Sequence, residues 1–202
     1  MSFSEAPEDW GPRGTAGVSF ASALAFDEVD VVLGGRIVLD QFTLALRPGE
    51  IVCLLGESGS GKSTALRVAA GIQRIDGGTV SINGEIVSGP GTHLPPDRRG
   101  IGLMFQDFAL FPHLTLLENV TFGLRRLGRA AALAQARAAL ARVGLEGRQY
   151  DYPHRLSGGQ QQRLALARTI APKPGILMLD EPFSSLDARL RETVRGETLA
   201  VL

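Results

Sequence analysis

A single cysteine, Cys53, rules out an intramolecular disulfide in this chain of 202 residues. Its place in an apolar run reads as a buried small hydrophobe and not a nucleophile. Lysine is almost as scarce: Lys62 and Lys173 stand against nineteen arginines. No stretch approaches the ~18 consecutive apolar residues of a membrane span, so contact with a membrane has to pass through a partner. The N-terminus carries Glu5, Glu8 and Asp9 without an apolar core, which argues against a secretory signal. Formal net charge is zero and the basic residues are dispersed, which leaves no stripe for nucleic acid. Arg98-Arg99 and Arg125-Arg126 read as solvated faces. His93, His113 and His154 lack metal-ligand spacing. What remains is a chain that is 44% hydrophobic and 21% charged, enough for one substantial core and a smaller satellite.

Against this background, Gly56-Glu57-Ser58-Gly59-Ser60-Gly61-Lys62-Ser63 satisfies the phosphate-binding pattern G-x-x-x-x-G-K-[ST]. Upstream, Ile51-Val52-Cys53-Leu54-Leu55 is apolar and bounded by Pro48-Gly49 and Gly56, which predicts a buried strand. Downstream, Ser63 to Ala70 reads as a helix closed by Gly71. Glycines between strand and helix let backbone N–H groups curl around an anion, and the helix N-terminus adds positive dipole. Lys62 is placed to reach the β- and γ-phosphates, the Ser63 hydroxyl to bind Mg²⁺, and Thr64 to join the cradle. That one of only two lysines stands here, in a chain that prefers the planar arginine fork, points the same way. The alternative is a glycine-rich turn without a ligand.

Two further segments gain meaning beside this one. Ile176-Leu177-Met178-Leu179 predicts a short buried strand with Asp180-Glu181 at its C-terminal end, where parallel sheets bind ligands. Asp180 would hold Mg²⁺ and Glu181 would polarise the attacking water; a solvated strand end is the alternative. In Leu156-Ser157-Gly158-Gly159-Gln160, Ser157 is a good N-cap and the glycines permit close backbone approach. Gln160 to Ala171 then reads as a helix stopped by Pro172.

With these motifs in order the chain resembles the ATP-binding-cassette family, specifically the ATPase subunits of ABC transporters, from about Leu24 onward. Leu156 to Arg163 matches the family's signature, Phe105-Gln106-Asp107 its Q-loop and Ser185-Leu186-Asp187 its D-loop. The resemblance implies an α/β P-loop NTPase fold with a mixed core sheet, a small antiparallel β subdomain and a helical subdomain. It implies ATP and Mg²⁺ as ligands, with Gly56 to Thr64 around the phosphates. Ser157, Gly158, Gly159 and Gln160 would engage the γ-phosphate held on a second subunit, so that two copies sandwich two nucleotides head to tail. Asp187 would communicate across that interface. Gln106 would sense the metal and the attacking water, and Glu181, Lys62 and Gln106 form the catalytic set.

The expected organisation is an N-terminal extension over residues 1–22, poorly ordered, followed by the ATPase domain over 23–202 with a helical subdomain at 107–155. Strand, turn and strand run from Leu24 to Val32, across Gly34-Gly35, and from Ile37 to Leu46. Asn83-Gly84 between Thr79–Ile82 and Glu85–Val87 is a strong hairpin signal. Thr115 and Glu118 fit a capping box opening a helix towards Leu127. Ala130 to Val143 reads as a helix with Leu133, Ala136, Leu140 and Val143 along one stripe. The apolar cluster of Phe108, Leu110, Phe111, Leu114, Leu116 and Leu117 reads as core, while the family places there a groove for a membrane subunit; both readings stay open.

Two departures from the family stand out. An aromatic residue usually precedes Gly34 to stack on adenine, and here Leu33 stands there, so an aliphatic contact covers the base. The family's switch histidine is also absent, which leads to the expectation of a C-terminally incomplete fragment, unstable and slow to hydrolyse ATP. The function expected from the resemblance is the peripheral ATPase of an importer at the cytoplasmic face of the membrane. Its partners would be a permease and a substrate-binding protein. Leu94 to Arg99 and Gln106 to Thr115 resemble importers of ferric iron, polyamines, thiamine, sulfate and sugars, with ferric iron as first choice. A soluble ABC ATPase without a membrane partner, and a nucleotide-binding module with little hydrolysis, are the alternatives.

Overall fold

In the computed structural model, which describes residues 22–180, the chain first builds an antiparallel sheet from hairpins. Strand β1 (Leu24–Leu33) turns at Gly34-Gly35 into β2 (Arg36–Leu46). Strands β3 (Gly77–Ile82) and β4 (Glu85–Gly89) meet at Asn83-Gly84, and β5 (Thr92–His93) closes the edge. The order is β2-β1-β3-β4-β5, with Leu24 opposite both Leu46 and Ile82. Helix α1 (Lys62–Ala69) belongs to the same apolar cluster through Ala65, Val68 and Ala69, together with Val29, Val31 and Val80. Each fully buried valine of this group contributes about 1.5–3 kcal/mol of apolar burial. Strands β6 (Ile101–Met104) and β7 (Ile176–Leu179) form a separate parallel pair in the register Ile101 to Ile176 and Met104 to Leu179.

The described residues divide into two compact units. One holds these strands and α1, comprising, among the described residues, Ser22–Phe105 and Lys173–Asp180. The other spans Gln106–Pro172. It contains α2 (Leu116–Thr121), α3 (Arg129–Arg142) and α4 (Gly158–Ile170) around a core that includes Leu116, Val120, Leu140, Leu145 and Leu164. The predicted capping box is present: Thr115 Oγ1 accepts from Glu118 N at 3.3 Å, and Glu118 Oε2 accepts from Thr115 N at 2.8 Å. The Thr115 N–H and the Thr115 hydroxyl, the latter also at 2.8 Å, both donate to the charged Glu118 carboxylate and hold its pKa below the ordinary value. Helix α2 ends at Thr121 in a short 3₁₀ turn, Phe122–Leu124, well before Leu127. The buried face of α3 is Ala132, Ala136, Ala139 and Leu140, with Leu133 partly buried beside it.

Three expectations need correction. Ile51 to Leu55 is not a buried strand: no described strand pairs with it, and Ile51 and Leu55 are 78% and 92% exposed. An apolar run reports the hydrophobicity of a segment but not the presence of the neighbour that a strand requires. Cys53, within the same segment, is exposed rather than buried. Arg99 is not on a solvated face; it is 4% exposed. Its Nε donates to Leu94 O at 2.7 Å, Nη1 to Val68 O and Ala69 O at 2.9 Å each, and Nη2 to Val87 O at 3.0 Å and Ser88 Oγ at 2.7 Å. All five guanidinium donors are thereby used, two of them on carbonyls at the negative end of α1. Gly71 makes room for this: it lies at φ +79°, and a Cβ there would sit 2.4 Å from Arg99 Nε. Arg99→Met is expected to lower unfolding free energy by about 3 kcal/mol or more, because buried carbonyls lose a charged donor. Urea titration of the full-length protein checks this, and a loss below about 1 kcal/mol would show the carbonyls re-satisfied at little cost.

The extension at residues 1–22, apart from Ser22, lies outside the described residues. So do Glu181 and the D-loop with Asp187.

Candidate functional site

The loop from Gly56 to Gly61 leads directly into α1, whose N-cap is Gly61 at φ +90°. A Cβ on Gly61 would stand 2.7 Å from Val38 O and 2.9 Å from Leu39 Cδ2, so β2 backs the loop and leaves no space for a side chain. The first helical bond, Ala65 N to Gly61 O, is 2.8 Å. Lys62 Nζ folds over the loop and donates to Gly56 O at 2.8 Å, Glu57 O at 2.7 Å and Ser60 Oγ at 3.4 Å. An ammonium over a turn of glycines, beside a helix N-terminus, concentrates positive potential where a phosphate would bind.

Ser63 and Asp180 lie 117 positions apart in the chain and meet here: Ser63 Oγ donates to Asp180 Oδ1 at 2.8 Å. Asp180 N bonds Met104 O at 3.0 Å, which extends the β6–β7 ladder by one rung. The carboxylate therefore sits at the C-terminal end of β7, 6% exposed. A hydroxyl and a carboxylate oxygen are hard donors, and neighbouring corners of a Mg²⁺ octahedron lie roughly 2.9 Å apart. The pair fits that ion. Among the described residues no group of three His, Cys, Asp or Glu could hold a metal by itself. Mg²⁺ does not need one, because it keeps waters and takes phosphate oxygens.

The signature residues lie in the helical unit. Ser157 caps α4 in an extended conformation; its Oγ accepts from Gln160 N at 3.4 Å and Gln160 Oε1 accepts from Ser157 N at 3.1 Å. Arg148 Nη1 also donates to Gln160 Oε1, at 2.9 Å, while its Nε pairs with Asp151 at 2.8 Å. Leu156 is buried, whereas Ser157 and Gly158 are exposed, so the start of α4 is presented outward. Gln106, in the turn that opens the same unit, is also exposed. Leu33 ends β1 and is 41% exposed.

Sequence reasoning did not find the residues that brace these elements. Arg148 holds Gln160, and Arg168 bonds the carbonyls of Phe108 and Ala109. Asn119, fully buried, accepts from Phe111 N at 2.9 Å and donates to the carbonyls of Phe111, Leu114 and Thr115. A lone amide inside the apolar run Leu116-Leu117-Glu118-Asn119-Val120 was a usable signal for Asn119. Nothing distinguishes Arg148 or Arg168 among nineteen arginines.

A family model described as "ABC transporter" matches residues 39–184. The chain is 46% identical over 178 residues to a Salmonella typhimurium protein provisionally named as the 2-aminoethylphosphonate import ATP-binding protein PhnT, covering 87% of this chain and 47% of that protein. It is 49% identical over 165 residues to the sulfate/thiosulfate import ATP-binding protein CysA of Mycobacterium bovis, covering 81% and 46%. The chain thus spans about half the length of the curated relatives it matches. Among solved structures it is similar to the dimeric, post-hydrolysis ATP-binding cassette MJ0796 bound to ADP and Pi, with a TM-score of 0.73 and 32% identity. That match covers 86% of this chain and 80% of the other.

Proposed function

Because the chain belongs to the ABC transporter family and has its α/β P-loop NTPase fold, we propose that it is the ATP-binding and ATP-hydrolysing part of an importer, driving solute through a membrane permease. The observation that carries this reading is the junction of Lys62, Ser63 and Asp180: a cationic loop for phosphates joined to an oxygen-donor pair for a divalent ion. The backbone of Gly56 to Thr64 cradles the triphosphate, Lys62 neutralises its terminal charge and Leu33 covers the base. Ser63 and Asp180 would hold Mg²⁺, which would neutralise charge on the phosphates, and Gln106 is assigned the role of sensing the metal and the attacking water. Glu181 polarises the attacking water. Ser157, Gly158, Gly159 and Gln160 of a second copy complete each site, and Asp187 links the two sites. That MJ0796 is a dimer with ADP and Pi supports a dimeric arrangement of two nucleotide-binding copies.

Among the described residues no helix is long and apolar enough to cross a membrane. The location we propose, from the importer reading and the import ATP-binding relatives, is peripheral, at the cytoplasmic face, against a permease that is served by a substrate-binding protein. Ferric iron, the first choice from sequence, stands beside the phosphonate and sulfate named for the relatives; the permease and the binding protein decide among them. The domain arrangement proposed is an N-terminal extension, the ATPase domain, and a helical subdomain at 107–155 within it. The test is the mass of full-length Glu181→Gln protein with Mg-ATP, by light scattering. A dimer that returns to monomer when nucleotide is removed is expected, and a protein that stays monomeric with Mg-ATP would overturn the reading.

A further inference from the structure

Phe108 and Ala109 lie in the left-handed region, at φ +61° and +44°, although neither is glycine. Such a conformation persists in an L-residue only where neighbours hold it. The holder is Arg168, near the end of α4: its Nη1 donates to Ala109 O at 2.6 Å and its Nη2 to Phe108 O at 2.7 Å. Successive carbonyls point the same way only when both residues have helical dihedrals of one hand, and in extended chain they alternate. The left-handed pair is therefore what lets one planar fork bond two consecutive carbonyls. The guanidinium carbon also stands 5.5 Å from the centroid of the Phe111 ring. Burial draws the Arg168 pKa down, and the charge of Asp107 partly restores it. Further along, Asn119 fastens Phe111, Leu114 and Thr115 to α2. Arg168 thus ties Phe108 and Ala109, just after Gln106, to α4.

Helix α4 is a continuous rod from its cap at Ser157 to Ile170, and Ser157 and Arg168 are roughly 16 Å apart along it. We propose that Arg168 is a positioning residue that makes the Gln106 loop and the signature helix move as one body, so that a displacement of the loop reaches Ser157 and Gly158. The role in turnover rests on the ATPase reading above; the clamp itself rests on the hydrogen bonds and dihedrals alone.

The test uses the full-length protein with Arg168→Met, Ala109→Gly and the two together. Glycine enters the left-handed region without side-chain strain, so it replaces part of what the guanidinium does. In Arg168→Met, amide exchange over residues 107–112 is expected to quicken about tenfold and kcat for ATP to fall about tenfold, with KM within about twofold. Ala109→Gly alone is expected to behave as wild type, and the double variant to regain at least about threefold of the lost kcat and of the lost exchange protection. A double variant no better than Arg168→Met, or a KM that rises as much as kcat falls, would overturn the proposal. If Arg168→Met does not fold, Arg168→Lys is compared in the same way, since an ammonium keeps the charge but not the fork. If the wild-type protein shows no ATP turnover the ATPase reading fails, and amide exchange alone still decides the clamp.

Discussion

Lys62→Ala in the full-length protein is expected to lower ATP turnover by about 10²–10³-fold or more, the effect of removing one preorganised donor from a developing charge. Lys62 is the residue nearest to being a purpose-built exception in this chain, where arginine outnumbers lysine nineteen to two. Its ammonium reaches Gly56 O and Glu57 O at 2.8 and 2.7 Å, so it lies inside the arc of the loop. A compact point charge can move from those carbonyls to a phosphate without rearranging the backbone. A planar guanidinium cannot occupy the same space, so Lys62→Arg is expected to fail almost as badly despite keeping the charge. Steady-state phosphate release and nucleotide binding, measured together, separate the chemical loss from the binding loss. Retention of more than about a tenth of wild-type turnover in Lys62→Ala would remove this loop from the chemistry.

The local grammar that leads to this site was legible where a signal is complete within a few residues. Asn83-Gly84 forms the β3–β4 hairpin because a two-residue turn of that type carries its own geometry. Thr115 with Glu118, and Ser157 with Gln160, form reciprocal caps because each partner lies within reach along one turn. Ile176–Leu179 is a strand as expected, since its length and its apolar content agree. Ile51 to Leu55 has the same local character and is not one, because its fate depends on a neighbour that no local pattern encodes.

Side chains that act over long separations were the less legible part. The bond from Ser63 to Asp180 spans 117 positions; each residue by itself suggests Mg²⁺, but no local pattern places the two side by side. An Arg-Arg pair is usually exposed, so the pattern Arg98-Arg99 suggests a solvated face. The burial of Arg99 follows from a pocket of carbonyls contributed by α1, β4 and the residue after β5, three separated segments. Arg168 and Arg148 are of the same kind: each satisfies backbone or amide oxygens brought near by folding, and composition cannot rank one arginine above another.

The second large effect is expected from Gly158→Asp, and its sign separates folding from function. Gly158 is exposed and is the first residue of α4, next to the cap formed by Ser157. A carboxylate in the first turn of a helix interacts favourably with the positive end of the dipole, typically by about 0.3–1 kcal/mol. The isolated subunit is therefore expected to fold at least as stably as wild type, and its ATP affinity, which the proposed function assigns to the loop at Gly56 to Ser63, is expected to be unchanged. In the closed dimer the same carboxylate would face a triphosphate held by the other copy. Like charges juxtaposed at an interface cost several kcal/mol, so turnover is expected to fall by about 10²–10³-fold, with loss of Mg-ATP-dependent dimerisation. Gly158→Ala, which adds bulk without charge, is expected to fall much less. Equal losses from the two substitutions would point to crowding as the cause, and normal dimerisation of Gly158→Asp with Mg-ATP would mean that the start of α4 does not meet the nucleotide at all.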